Sequence, residues 1–170
     1  MMAVATVLLS MCSLSASAQN ADMHELISQS MSKMQSDTSD EAQLRCVAEL
    51  RRIEAMFPDS TAPKYQAALQ SLNYAIAHPQ AEATGRLLAE TQESIEALER
   101  MAAADASAVN TLKGYRLMVL IVQNPAENGP RYYLDVQRLF DLALKENPSN
   151  ELAHRLSQLF AEGMKRAMDQ

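Results

Sequence analysis

Apolar residues recur at steps of three and four along most of this chain, which is the spacing of a helix that buries one face. No segment sustains the strict alternation of a half-buried strand. Short groups of Pro, Ser, Asp and Asn separate the apolar stretches, and such residues end helices and form turns. The pattern therefore predicts an all-α fold, a single domain of about seven helices that are antiparallel because their connections are short.

The predicted helices cover nearly the whole chain. Thr38 is expected to cap the second helix, because Glu41 three residues later completes a capping box. Residues 124–130 are expected to form the one clear loop, since they contain two prolines, a glycine and two asparagines. The predicted helices span about residues 21–34, 38–57, 62–77, 80–104, 105–123, 131–147 and 150–168.

Three sets of residues share one spacing, with mostly apolar positions at i, i+4 and i+7 before a fourth position at i+12. The outer two sets end in proline, and the middle set stands 45 residues from each. The sets are Cys46, Leu50, Ile53 and Pro58; Thr91, Ile95, Leu98 and Ala103; and Val136, Phe140, Ala143 and Pro148. Each set precedes another amphipathic segment, so the chain is predicted to repeat a helix pair about every 45 residues.

The spacing that ends in proline resembles the second helix of a tetratricopeptide repeat (TPR), whose motif places Ala, Phe, Ala and Pro at these intervals. The set that ends at Pro148 matches it best, and the segment Leu112-Lys113-Gly114 resembles the Leu-Gly region of a repeat's first helix. The similarity covers roughly residues 41–170. It implies TPR-like helix pairs in a right-handed α-solenoid, with a groove for a peptide or protein segment. A HEAT-like or irregular helical stack stays open.

The first 18 residues differ from the rest of the chain. Residues 1–18 carry no charge, contain a short apolar run and end in Ala16-Ser17-Ala18, the small-x-small pattern that signal peptidase cuts. We expect a cleaved signal peptide, a helical repeat domain over residues 19–170 without a transmembrane segment, and a periplasmic or secreted location. The alternatives are retention as a helix and a lipid anchor at Cys12, where bulky Met11 precedes the cysteine.

Composition narrows the classes of function. The formal net charge is -6, which disfavours binding to nucleic acid or anionic lipid through a basic field. Signal cleavage would leave Cys46 as the one cysteine, so no internal disulfide is expected. Its place on an apolar helix face favours a small buried hydrophobe over a reactive thiol.

No motif for a named reaction occurs in the sequence. The chain lacks a Gly-rich phosphate loop, a Gly-x-Ser-x-Gly elbow and a His-Glu-x-x-His helix. The three histidines lie far apart, each without a partner at ligand spacing. We therefore expect no catalytic residue, no cofactor and no metal site.

The most suggestive polar group is Arg131-Tyr132-Tyr133, directly after the Pro- and Gly-bearing segment. Tyr and Arg are enriched in binding hot spots. Tyr133 falls on the apolar stripe of the sixth helix and is expected in the core. Arg131 and Tyr132 are therefore the candidate partner-binding residues.

The leading expectation is an exported adaptor that binds a protein or peptide segment and catalyses nothing. The alternative is a helical module that binds a small apolar ligand or lipid between its helices. A methionine-rich first helix and the dense apolar run over residues 117–122 motivate that alternative. An enzyme whose polar residues converge from separate helices is the third possibility.

Overall fold

A computed structural model describes the backbone of residues 5–168 and the side chains of residues 20–166. The described residues form seven α-helices and no strand, so the predicted all-α fold is confirmed. The helices are α1 (Ala5–Ser36), α2 (Asp40–Met56), α3 (Thr61–Ala77), α4 (Glu82–Glu99), α5 (Ala106–Gln123), α6 (Pro125–Glu146) and α7 (Glu151–Met168). No helix in this part of the chain combines the length and the hydropathy that a membrane crossing requires.

Four of the six turns between helices place a proline directly after the C-terminal cap. The ring of a proline disfavours helical geometry in the residue before it, and the four cap residues have ψ angles of 60 to 96°. Each cap still donates its backbone N–H to the carbonyl four residues back, which completes the last turn. The cap and proline pairs are Phe57-Pro58, His78-Pro79, Asn124-Pro125 and Asn147-Pro148.

Two predicted boundaries are wrong. Ser39, and not Thr38, caps α2, because its side chain accepts a hydrogen bond from the Ala42 backbone N–H at 3.2 Å. Residues 124–130 form no extended loop, since α6 begins at Pro125. Proline suits the first position of a helix, where its missing N–H has no helical partner to lose, and Asn124 caps this helix.

The first and fourth helices also differ from their predicted ranges. Helix α4 ends at Glu99, five residues early, because the backbone N–H of Arg100 and of Met101 bonds to carbonyls three residues back and tightens the last turn. Helix α1 already begins at Ala5 and continues past residue 18. Residues 1–4 and the Cys12 side chain lie outside the described residues, so the signal peptide and the lipid anchor stay predictions.

The spacing of the helices agrees with a helical repeat. Helices α3, α5 and α7 begin at Thr61, Ala106 and Glu151, at intervals of 45 residues. All nine residues at the i, i+4 and i+7 positions of the three sets are buried. Each helix packs against the next one along the chain, and α3 also packs against α5 and α5 against α7. The TPR-like solenoid itself stays a prediction.

Helices α5 and α6 share the most extensive interface in the described part of the chain. Gly114 makes this closeness possible, because a Cβ atom at that position would stand 2.9 Å from Cε1 of Phe140. Phe140 is only 1% exposed and belongs to the main core cluster, whose residues come from α3 to α7. A smaller cluster around Cys46 and Leu50 joins α1 to α2 and α3.

A polar network joins the N-terminal end of α7 to the N-terminal end of α5. The Asn150 side chain accepts a hydrogen bond from the Ala153 backbone N–H at 3.0 Å, which caps α7. Its amide nitrogen donates to the hydroxyl oxygens of Ser107 at 2.8 Å and Thr111 at 3.1 Å. The Ser107 hydroxyl in turn donates to the Ala143 carbonyl at 2.7 Å. Ser107, a residue of α5, is therefore bonded both to α6 and to the cap of α7.

Replacing Gly114 with alanine should destabilise the fold. The added methyl must displace the fully packed Phe140, and overpacking of this kind costs about 1–3 kcal/mol, partly offset by better helix propensity. Gly85→Ala is the control, because Gly85 is an exposed helical position with nothing within 4 Å of an added Cβ. It should raise the free energy of unfolding by about 0.5–1 kcal/mol. Urea unfolding followed by far-UV circular dichroism measures both, and equal stabilisation by the two variants would contradict the close-packing argument.

Asn150→Ala should lower the free energy of unfolding by about 2 kcal/mol, because it removes a helix cap and two interhelical hydrogen bonds. Asn150→Asp keeps the capping oxygen but cannot donate, so it should recover only part of the loss. Asn124→Ala removes the cap of α6. Among the described residues the Asn124 side chain bonds only to Glu127 of that helix, so its loss should lower the free energy of unfolding by about 1 kcal/mol. Chemical unfolding of the three variants tests the order, and a loss for Asn150→Ala no larger than for Asn124→Ala would refute the network's role.

Candidate functional site

Helix α3 carries three amide side chains on one face. Gln66, Gln70 and Asn73 stand at i, i+4 and i+7, the spacing of neighbours on a helix surface. The other side of α3 packs into the core through small and apolar residues, among them Ala68 and Leu72. We call the three amide residues the amide stripe.

Two of these amides line a cleft at the C-terminal end of α3. The cleft has a volume of about 420 Å³ and lies where α3 meets the end of α1 and the start of α2. Its lining residues are Met34, Gln35, Thr38, Gln43, Gln70, Asn73 and Ala77. None of them carries a charge, although the chain as a whole has a formal net charge of -6.

The remaining amide of the stripe, Gln66, lines a second cleft of about 240 Å³ at the N-terminal end of α3. Its other walls come from the end of α4 and the start of α5. Tyr65 also lines it, and burial, helped by the nearby charge of Asp105, raises the pKa of that phenol. Because one face of α3 contributes to both clefts, we treat them with the stripe as one feature, the amide groove. The 17 residues of α3 make it about 25 Å long.

Tyr115 of α5 orders the middle of the amide stripe. Its hydroxyl donates to Oδ1 of Asn73 at 3.2 Å, and Nδ2 of Asn73 donates to Oε1 of Gln70 at 3.1 Å. Burial raises the pKa of Tyr115 to about 12, while the charge of Arg155 opposes that shift. The phenol therefore stays protonated at neutral pH and fixes the orientation of Asn73, which in turn fixes Gln70.

The amide side chains of the groove suit hydrogen bonding. Each amide side chain offers two N–H donors and an oxygen that accepts, so it can pair with either kind of peptide group. The first cleft presents no titratable side chain that could act as an acid, a base or a nucleophile. In the described ranges, no group of three His, Cys, Asp or Glu residues is placed to hold a metal ion.

The two residues singled out from the sequence lie elsewhere, on α6. Arg131 is exposed and Tyr132 is half-buried, and Cζ of Arg131 lies 5.0 Å from the centre of the Tyr132 ring. Tyr133 packs against the core, its ring centre 5.6 Å from that of Phe160. The structure thus brings Arg131 and Tyr132 together, but neither lines the amide groove.

Cys46 has the environment of a packing residue. It is buried, and its sulfur accepts a hydrogen bond from the Ser30 hydroxyl at 3.4 Å and contacts the Met31 sulfur at 3.9 Å. Burial raises the pKa of the Cys46 thiol, which keeps it in the unreactive protonated form at neutral pH.

The amide stripe was not identified from the sequence, although a signal for it exists. The sequence analysis used the apolar periodicity of α3 and left its polar positions aside. The spacing of Gln66, Gln70 and Asn73 already predicts one uncharged polar face on a chain rich in Glu and Arg.

Comparisons of the chain with protein-family models, with curated protein sequences and with solved structures find no match. The functional argument therefore depends on the geometry and chemistry of the amide groove.

Arg131→Ala with Tyr132→Ala tests the sequence-derived candidate surface. Arg131 is exposed and Tyr132 only half-buried, so the double variant should keep the far-UV circular dichroism of the native fold. If these residues bind a partner, a photo-crosslinker at position 132 should form a specific protein adduct in the native cell, and one at the exposed Gln158 should not. Equal adduct patterns at the two positions would remove Arg131 and Tyr132 from consideration.

Proposed function

We propose that the protein is a non-catalytic adaptor that holds an extended peptide or protein segment in the amide groove. The observation that supports this proposal most directly is the uncharged cleft of about 420 Å³ lined by Gln35, Gln43, Gln70 and Asn73. A peptide main chain presents alternating N–H and C=O groups, and each group that loses water without a partner destabilises the complex. Amide side chains satisfy both kinds of group.

The dimensions of the groove also favour an extended segment. Helix α3 spans about 25 Å, which equals roughly seven or eight residues of extended chain. A recess at each end of α3 would hold side chains of the bound segment, and the stripe between them would hold its main chain. Binding by main-chain hydrogen bonds with side-chain pockets is a common way for proteins to recognise extended peptides.

Charge narrows the class of partner. The cleft of about 420 Å³ has no charged lining residue and offers no partner for an isolated charge, whereas Asp105 lines the cleft of about 240 Å³. The net charge of -6 disfavours a strongly acidic segment. A neutral or mildly basic segment fits best.

The proposed site of action is periplasmic or secreted. This part of the proposal depends on the signal-peptide pattern of residues 1–18. The resemblance to TPR-like helix pairs supports the same function, because repeats of that kind stack to form extended binding surfaces.

Selection of peptides from a random library, followed by fluorescence anisotropy with the best binder, tests the groove. Gln66→Leu and Gln43→Leu keep most of the side-chain volume but remove the hydrogen-bonding amide, one in each cleft. Each should weaken binding about three- to tenfold, the effect of losing one hydrogen bond in a desolvated site.

Gln137→Leu is the matched control, because Gln137 is an exposed amide on α6 that lines neither cleft. It should bind the same peptide with the affinity of the wild-type protein. Wild-type affinity in both groove variants, or an equal loss in the control, would contradict the proposal.

A further inference from the structure

A third recess lies between the C-terminal ends of α5 and α7 and the start of α6, and its lining is apolar. Its volume is about 260 Å³. None of its lining residues is charged, and most are large apolar side chains. The lining residues are Met118, Ile121, Val122, Pro125, Gly129, Leu159, Phe160, Gly163 and Met164. We call this recess the glycine cleft.

Two of the four glycines in the chain line the glycine cleft. Gly129 and Gly163 are both helical, and no glycine of the described residues has a positive φ, so the backbone does not require glycine at either position. A Cβ atom at either position would meet nothing within 4 Å. Glycine lowers the stability of a helix relative to alanine. The effect that these two residues have on the structure is to leave the cleft open.

The cleft also concentrates exposed apolar surface. Val122 is 40% exposed and Leu159 is 50% exposed, and they are two of the four large apolar side chains that are exposed in the described part of the chain. The sequence predicts that the apolar run over residues 117–122 is covered on more than one side. In the structure the end of that run lines a recess. Its apolar surface is exposed to water, which is unfavourable unless an apolar group fills the recess.

We propose that the glycine cleft binds the hydrocarbon chain of a single-chain amphiphile, such as a fatty acid. A cavity of about 150 Å³ holds a benzene ring, so a cleft of about 260 Å³ has room for a short hydrocarbon chain. A helix, which is about 10 Å across, does not fit in it. Its lining has no amide or charged side chain that could pair with a peptide main chain.

The charges that stand next to the cleft in the sequence are of both signs. Lys165 and Arg166 follow the lining residue Met164, whereas Glu162 precedes Gly163 and Glu127 lies in the first turn of α6. Arg166 pairs with Glu162 at 3.4 Å. The lining itself is uncharged, so the chain of the amphiphile, and not the charge of its head group, should determine the affinity. The proposal does not depend on the amide groove, which uses other residues.

A series of saturated fatty acids, from octanoate to dodecanoate, tests the proposal when titrated into the full-length protein below their micelle concentrations. Affinity should rise about fourfold per added methylene until the cleft is full, because each buried methylene contributes a nearly constant transfer free energy. Decyltrimethylammonium should bind as well, because the uncharged lining selects the chain and not the head group. A flat chain-length series, or no binding of the cationic amphiphile, would overturn the proposal.

Gly163→Leu provides the structural test, because Gly163 lines the cleft and a Cβ atom there would meet nothing within 4 Å. It should weaken decanoate binding at least tenfold. Gly85→Leu is the matched control, because Gly85 is also helical with nothing within 4 Å but lies on α4, outside the cleft, and it should bind normally. Sedimentation equilibrium identifies the competing occupant: a wild-type dimer that Gly163→Leu dissociates, together with unchanged decanoate binding, would assign the cleft to a second copy of the chain.

Discussion

The close approach of α5 and α6 is the constraint on which the rest of the structure depends. Helix α5 contacts α3, α4, α6 and α7, more helices than any other, so its position fixes theirs among the described residues. Gly114 allows the ring of Phe140 to reach the α5 backbone. The hydrogen bond from the Ser107 hydroxyl to the Ala143 carbonyl joins the same two helices near the start of α5 and the end of α6. A larger residue at position 114 would push α6 outward and uncover the core cluster that α3 to α7 share.

Both candidate binding sites follow from that position of α5. Tyr115 reaches Asn73, 42 residues earlier in the chain, only because α5 lies directly beside α3. One turn further along α5, Met118 forms a wall of the glycine cleft. The polar and the apolar site are thus both organised by α5, through residues one turn apart.

The apolar periodicity predicted the helices, their number and the period of 45 residues, because burial of one helix face is a local property of the sequence. Turn chemistry was predicted less well. The prolines of residues 124–130 read as a loop, but Pro125 occupies the one helical position that tolerates it, and Asn124 supplies the cap. The amide groove could not be predicted at all from α3 alone. Polar residues on a helix are typical of a solvated face, and Gln70 becomes a buried wall of a recess only because the end of α1 and the start of α2 lie beside it.

The neutrality of the 420 Å³ cleft in the amide groove depends on where the charges of the neighbouring helices are placed. At the junction of α2, α3 and α4, Nη1 of Arg51 donates to Glu54 at 2.9 Å and also to the Ser94 hydroxyl. Lys64, buried in the same region, donates to the Pro58 carbonyl at 2.7 Å and lies 3.9 Å from Glu54. Partly buried charges that are paired in this way project little field toward α3's other face, since opposite charges cancel over a few ångströms. A segment bound in that cleft would therefore be selected by the positions of its hydrogen-bonding groups, and its affinity should change little with salt concentration.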